Sequence, residues 1–129
     1  MAIFGVGTDI IALTRVERSL ERHGDKFAQR ILSARELDEY AIKRNKVAYL
    51  AKRFAAKEAI SKALGTGMRE GIDFKQLIII NDELGKPCVT LENQAKDWAE
   101  RHNIENIHLS ISDEKDTAVA FAITEQLTS

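Results

Sequence analysis

The sequence is poor in cysteine and proline: it has one of each, adjacent at Pro87 and Cys88. A single thiol excludes an intramolecular disulfide and a thiolate metal cluster built within the chain, and it suits a reducing compartment. Cys88 follows Pro87 in an apolar, strand-like run, which predicts a buried, inert thiol rather than a nucleophile. Aromatic residues make up only 6% of the chain. Few platforms are left on which single-stranded bases stack, and no ribonucleoprotein motif is present. The charges nearly balance, with a net value of -1, which excludes nucleic-acid binding through bulk positive charge. No nucleic-acid partner is expected. Long apolar runs are also missing: none approaches the roughly 20 residues that cross a bilayer. The first residues lack the basic-then-apolar layout of a signal peptide. These absences predict a cytoplasmic protein with no membrane partner.

What is present fits one domain over residues 1–129, with 44% hydrophobic and 30% charged residues, enough apolar surface to offset the entropy of ordering. Residues 2–11 read as a strand with Phe4, Val6, Thr8 and Ile10 on one face. Gly5, Gly7 and Asp9 occupy the other face, leaving room for a close neighbour and aiming a carboxylate the same way. Thr14-Arg15-Val16-Glu17 has the form of a capping box and predicts a helix from there to Gly24, and Ser33-Ala34-Arg35-Glu36 predicts another helix start. Asn45 caps the longest helix, which begins near Lys46 and stops at Gly65. Residues 74–80 and 88–91 form one expected hairpin, and residues 107–112 and 117–124 a second, around Asp113-Glu114-Lys115-Asp116. Between them, Ala95, Trp98, Ala99 and His102 recur at helical spacing, with Trp98 facing inward and His102 at the solvent end. The order strand, helices, hairpin, helix, hairpin points to an α+β fold.

A carboxylate in an apolar stripe needs a reason. On a helical wheel Val47, Leu50, Ala51, Phe54 and Ala55 form such a stripe, and Glu58 falls near its middle. It is either paired with Lys62 one turn on or bound to a cation. Asp9 is open in the same way, as a turn former or as a ligand. Taken together, two hard oxygen donors suit Mg²⁺, which prefers few carboxylates plus waters and phosphate oxygens. Lys57, Lys62 and Lys86 can offset phosphate charge, and Gly65-Thr66-Gly67 offers a loop that a nucleotide can approach. Each is equally compatible with an ordinary surface lysine or turn. Residues 14–35 carry six cations against three acids. Arg15, Arg18 and Arg22, at i, i+3 and i+7, share one helix face that fits an acidic partner or simply a mixed surface.

The segment Phe54-Ala55-Ala56-Lys57-Glu58-Ala59-Ile60-Ser61-Lys62-Ala63-Leu64-Gly65-Thr66-Gly67 resembles the signature of holo-acyl-carrier-protein synthases, members of the 4'-phosphopantetheinyl transferase superfamily. The likeness includes Gly5-Val6-Gly7-Thr8-Asp9-Ile10 and runs on through Gly85-Lys86-Pro87 to Leu109-Ser110-Ile111-Ser112, nearly the whole chain. It implies transfer of the phosphopantetheine arm of coenzyme A to a serine of an acyl carrier protein, in support of fatty acid biosynthesis. It further implies a mainly antiparallel sheet packed with a long central helix, and a homotrimer with active sites between subunits.

By the same resemblance, Asp9 and Glu58 hold Mg²⁺ with the coenzyme A diphosphate, and Lys57 and Lys62 bind phosphate. Gly65, Thr66, Lys86 and Pro87 line the nucleotide pocket, and Arg15, Arg18 and Arg22 receive the acidic recognition helix of the carrier protein. The serine proton passes to Glu58 or to a metal-bound water. Many relatives carry histidine where this chain has Asp113, and no role is carried over to it. His108 reads as a structural histidine at a strand start.

Overall fold

The computed structural model describes residues 1–128. Strand β1 (Ala2–Ala12) runs directly into helix α1 (Leu13–His23), followed by α2 (Asp25–Ile31), α3 (Ala34–Ile42) and the longest helix, α4 (Lys46–Ala63). A 3-10 turn (Phe74–Gln76) leads into strands β2 (Leu77–Asn81) and β3 (Pro87–Leu91). Helix α5 (Asn93–Arg101) then precedes β4 (Ile104–Asp113) and β5 (Thr117–Gln126). The fold is α+β, with two antiparallel sheets: a three-stranded one in the order β1-β5-β4, and the β2-β3 hairpin. Both expected hairpins form.

Local signals set most helix ends. The Ser33 hydroxyl accepts from the Glu36 N–H while the Glu36 carboxylate accepts from the Ser33 N–H, which completes the capping box of α3. Asn45 caps α4 through the Ala48 N–H at 3.0 Å. Beyond α4 the chain turns at Gly65, whose φ of 87° suits a residue without a Cβ. The start of α1 corrects the sequence reading. Thr14 does not cap it; the helix begins at Leu13 without a side-chain cap. The Leu13 N–H is taken instead by the Asp116 carbonyl on the β4-β5 turn, at 2.9 Å. Cys88 is also corrected: it is exposed. Period two places it with Thr90 on the open side of β3, whereas Val89 and Leu91 pack on the core.

Helix α4 crosses one face of the three-stranded sheet, and small residues let the two approach closely. The covered row holds Gly5, Gly7 and Ile11 of β1 opposite Thr124, Ala122 and Ala118 of β5. Ala55, Ala59 and Ala63 face it from the helix, all fully buried. A Cβ on Gly5 or Gly7 would collide with the backbone carbonyl of Ala63 or Ala59 respectively, so the room that the sequence leaves beside these glycines is filled by α4. The opposite face of the sheet stays open, with Val6, Ile10 and Phe121 exposed to 58%, 66% and 45%.

Candidate active site

The close approach of β1 and α4 brings together Asp9, Glu58 and Lys62. Glu58 and Lys62 are one turn apart on α4 and therefore share a face. The Lys62 ammonium donates to the Thr8 carbonyl at 2.9 Å and to Asp9 Oδ1 at 3.3 Å. Two of its three hydrogens are thus directed to β1, and the half-exposed side chain retains one for a ligand. Asp9 is largely covered, with 19% of its side chain exposed. Glu58 is half-buried. Its carboxyl is raised from the ordinary 4.5, first by loss of water and then by the negative charge of Asp9, against the weaker pull of Lys62 and Arg15. The sequence left Glu58 to pair with Lys62 or to bind a cation; the ion pair of Lys62 goes to Asp9.

A half-buried carboxyl whose proton affinity is raised in part by the charge of Asp9, with a single ammonium between β1 and α4, forms an electrostatically incomplete site. A divalent cation held by the two carboxylates would offset that repulsion. Among the described residues no cluster of three or more histidine, cysteine, aspartate or glutamate side chains forms a metal cage. Two hard oxygen donors without a full cage match a cation that keeps waters and takes phosphate oxygens, which is the habit of Mg²⁺.

Other expected site residues are distributed differently. Lys57 is removed from the phosphate set: it is fully buried, and its ammonium donates to Ile31 O at 2.7 Å, Glu36 Oε1 at 2.6 Å and Phe74 O at 3.0 Å. No donor is left for a ligand. The loop Gly65-Thr66-Gly67 does lie at the end of α4, but its amides point back into the helix. Gly65 donates to Lys62 O, and Thr66 and Gly67 both donate to Ser61 O. The Thr66 side chain is buried and donates to Gly67 O. The loop therefore offers a ligand clear space beside Gly67, with the Phe4 ring against Gly65, not a nest of N–H donors. Lys86 and Pro87 sit at the β2-β3 turn, where Asp82 holds the Lys86 amide. No hydrogen bond or ion pair among the described residues links either to Asp9, Glu58 or Lys62.

Arg15, Arg18 and Arg22 line one groove along α1. Arg15 leans toward the carboxylates: its guanidinium lies 5.8 Å from the Phe54 ring centre, and its charge acts on Glu58. Next to it is a cleft of about 580 Å³ with apolar walls from Phe27, Ile31, Phe54, Met68, Ile72 and Phe74, and with Arg30 and Lys75 also lining it. Phe54 lies one turn before Glu58. Phe54 belongs to the apolar stripe of the helical wheel; it packs at the edge of the core, stacks on Phe74 with ring centres 5.3 Å apart and lines this cleft. Only the tertiary arrangement of α2, α4 and the 3-10 turn creates the cleft, so no local pattern signals it. His108 lies within β4, not at its start, and contacts Glu125 at 2.6 Å on the surface. His102 stacks on Trp98 at 4.1 Å between ring centres, and the Trp98 indole donates to Leu64 O at 2.9 Å.

Residues 5–122 match the model of the 4'-phosphopantetheinyl transferase superfamily. The chain belongs to that superfamily. It is 54% identical over 125 residues to the holo-[acyl-carrier-protein] synthase of Aliivibrio fischeri, covering 97% of this chain and 99% of the relative. The crystal structure of holo-[acyl-carrier-protein] synthase from Neisseria meningitidis superposes with a TM-score of 0.92 at 45% identity, covering 96% and 99% of the two chains. A holo-(acyl-carrier-protein) synthase from Bacillus anthracis, in complex with coenzyme A (3',5'-ADP), superposes with a TM-score of 0.81 at 37% identity, covering 98% of this chain and 100% of that one.

Proposed function

We propose that this chain is a cytoplasmic, Mg²⁺-dependent holo-[acyl-carrier-protein] synthase. It moves 4'-phosphopantetheine from coenzyme A to a serine of apo-acyl carrier protein, releasing adenosine 3',5'-bisphosphate in support of fatty acid biosynthesis. The observation that carries this reading is the pair Asp9 and Glu58 beside Lys62, near the end of a helix whose following turn leaves clear space at Gly67. The two carboxylates hold the cation. A bound Mg²⁺ would polarise the phosphoryl group under attack and offset charge developing on the 5'-phosphate of the departing adenosine 3',5'-bisphosphate. Lys62 is tethered to Thr8 and Asp9 and directs its remaining N–H at a phosphate oxygen. Gly67, open where a Cβ would stand, lets the nucleotide lie against the backbone of the Gly65-Thr66-Gly67 turn. Incubation with coenzyme A, Mg²⁺ and apo-carrier protein, followed by mass spectrometry, tests substrate and reaction together. The carrier gains one phosphopantetheine, and a chelator abolishes the gain. An unmodified carrier with Mg²⁺ present would refute the reading.

The groove of Arg15, Arg18 and Arg22 receives an acidic helix of the carrier, and the adjoining apolar cleft covers that partner's apolar side chains. Reversing Arg18 to glutamate is expected to weaken carrier binding about tenfold or more, since it replaces attraction with like-charge repulsion, and to leave coenzyme A binding within twofold. Calorimetry with each ligand separates the two; equal losses would remove Arg18 from docking.

The open sheet face favours a homotrimer. Val6, Ile10, Val119 and Phe121 form an exposed apolar surface on adjacent strands β1 and β5, of a kind that soluble monomers seldom leave uncovered. Active sites at the subunit boundary also give Lys86 and Pro87, which make no hydrogen bond or ion pair to Asp9, Glu58 or Lys62 among the described residues of one chain, a route to the nucleotide of a neighbour. Phe121→Arg is expected to yield monomers in sedimentation and to lose transfer with the fold retained. A trimer that survives the substitution, or a monomeric wild type, would contradict this assembly.

A further inference from the structure

Lys57 and Glu36 form a buried charged pair that the site does not use. Both side chains are fully buried, and together they join five segments of the chain. Lys57, on α4, donates to Ile31 O at the end of α2, to Phe74 O in the 3-10 turn and to Glu36 Oε1 in α3. Glu36 Oε1 also accepts the Ser33 N–H at 2.8 Å, and Glu36 Oε2 accepts the Ile79 N–H of β2 at 2.9 Å. Every donor of the ammonium is used, and both carboxylate oxygens accept.

A buried pair of this kind is weak evidence for stability, because desolvation offsets much of the attraction and well-packed neutral residues often serve as well. What charge-assisted bonds supply is direction. The two carbonyls that Lys57 grips belong to Ile31 and Phe74, and both residues line the apolar cleft beside the carboxylates. The third wall, Phe54, is on α4 within one turn of Lys57 and stacks on Phe74. Lys57 is also the residue immediately before Glu58. One side chain therefore fixes the cleft walls relative to the helix that carries the reacting site.

We propose that Lys57 and Glu36 are positioning residues for the transfer reaction, holding the carrier-facing cleft in register with Glu58. The inference rests on the proposed transferase reading. In that reading coenzyme A is held by Asp9, Glu58 and Lys62, none of which lines the cleft, so loss of the pair is expected to act on the carrier substrate.

The test uses the double variant Glu36→Gln/Lys57→Met, which removes both charges at similar volume and leaves a side-chain amide on α3 to serve nearby polar groups. Wild-type protein is assayed first; if it leaves apo-carrier protein unmodified, the transferase reading itself fails. With an active wild type, the folded double variant is expected to show a KM for apo-carrier protein raised about tenfold or more, with the KM for coenzyme A within twofold. Unchanged values for both substrates, or equal rises for both, overturn the positioning role. Should the double variant fail to fold by circular dichroism, hydrogen exchange on the wild type decides. Amides of residues 31–33 and 74–79 opening together with residues 53–60 support the pin, and earlier opening of either segment overturns it.

Discussion

Replacing Glu58 by glutamine is expected to lower kcat/KM for phosphopantetheine transfer by on the order of 10²–10³-fold, the range seen when one charge-stabilising group is removed from a preorganised site. The fold should survive, because the amide is isosteric. In the presence of chelator the same variant should be more thermostable than the wild type at pH 7. The sign follows from linkage: the folded state raises the Glu58 carboxyl above 4.5, through partial burial and the charge of Asp9. The folded protein therefore holds that proton more tightly than the unfolded chain does. The associated stability is complete below the ordinary pKa and is lost as pH rises through the raised folded value. Above that raised value the wild type carries an ionised carboxylate beside Asp9, which glutamine removes. The difference in melting temperature should shrink as pH falls through the raised value and vanish well below pH 4.5. Melts at several pH values in chelator check it, and a Glu58→Gln protein that is less stable at pH 7 than the wild type would contradict the crowded-carboxylate picture. Such a gain on losing an active group is the usual trade of stability for function.

Gly7→Ala is expected to lower the melting temperature by about 10 °C or more, from a destabilisation of about 3 kcal/mol or more. The added Cβ meets the Ala59 backbone carbonyl and crowds the Ala63 amide. A helix backbone cannot turn aside as a flexible side chain can, so α4 must lift from β1. Lifting separates Asp9 from Glu58 and draws Lys62 off the Thr8 carbonyl, and transfer should fall with stability even well below the melting point. Gly24→Ala is the useful contrast, since a Cβ there meets nothing within 4 Å and only the φ of 62° is disfavoured. If Gly7→Ala melts within a degree or two of the wild type, the close β1-α4 contact is not what holds the site.

How far the sequence discloses this arrangement depends on the range of each interaction. Short-range chemistry was readable: the Ser33 box, the Asn45 cap, the turn at Gly65 and both hairpins follow from residues a few positions apart. So was the vacancy beside Gly5 and Gly7, because only a close neighbour rewards two side-chain-free positions on one face of a strand. Long-range bonds were hidden. Thr14 mimics a cap, yet the first amide of α1 is satisfied from Asp116, near the other end of the chain. Lys57 stands beside Glu58 in the segment that carries the family resemblance and so reads as a phosphate ligand. Its true partner Glu36 already had a local role in a capping box, which masked its second bond to Lys57. Cys88 was misplaced because an apolar run does not say which of its two faces is covered. The carboxylate pair stood out for the opposite reason: a charge in an apolar stripe violates the local pattern, and such violations concentrate at functional sites.

A direct test of the central claim is a calorimetric titration of Mg²⁺ into protein saturated with coenzyme A. Asp9 and Glu58 together should give the wild type a binding isotherm that is lost in both Asp9→Asn and Glu58→Gln, each confirmed folded. Equal Mg²⁺ binding by all three proteins would show that the cation is held elsewhere and would contradict the site described.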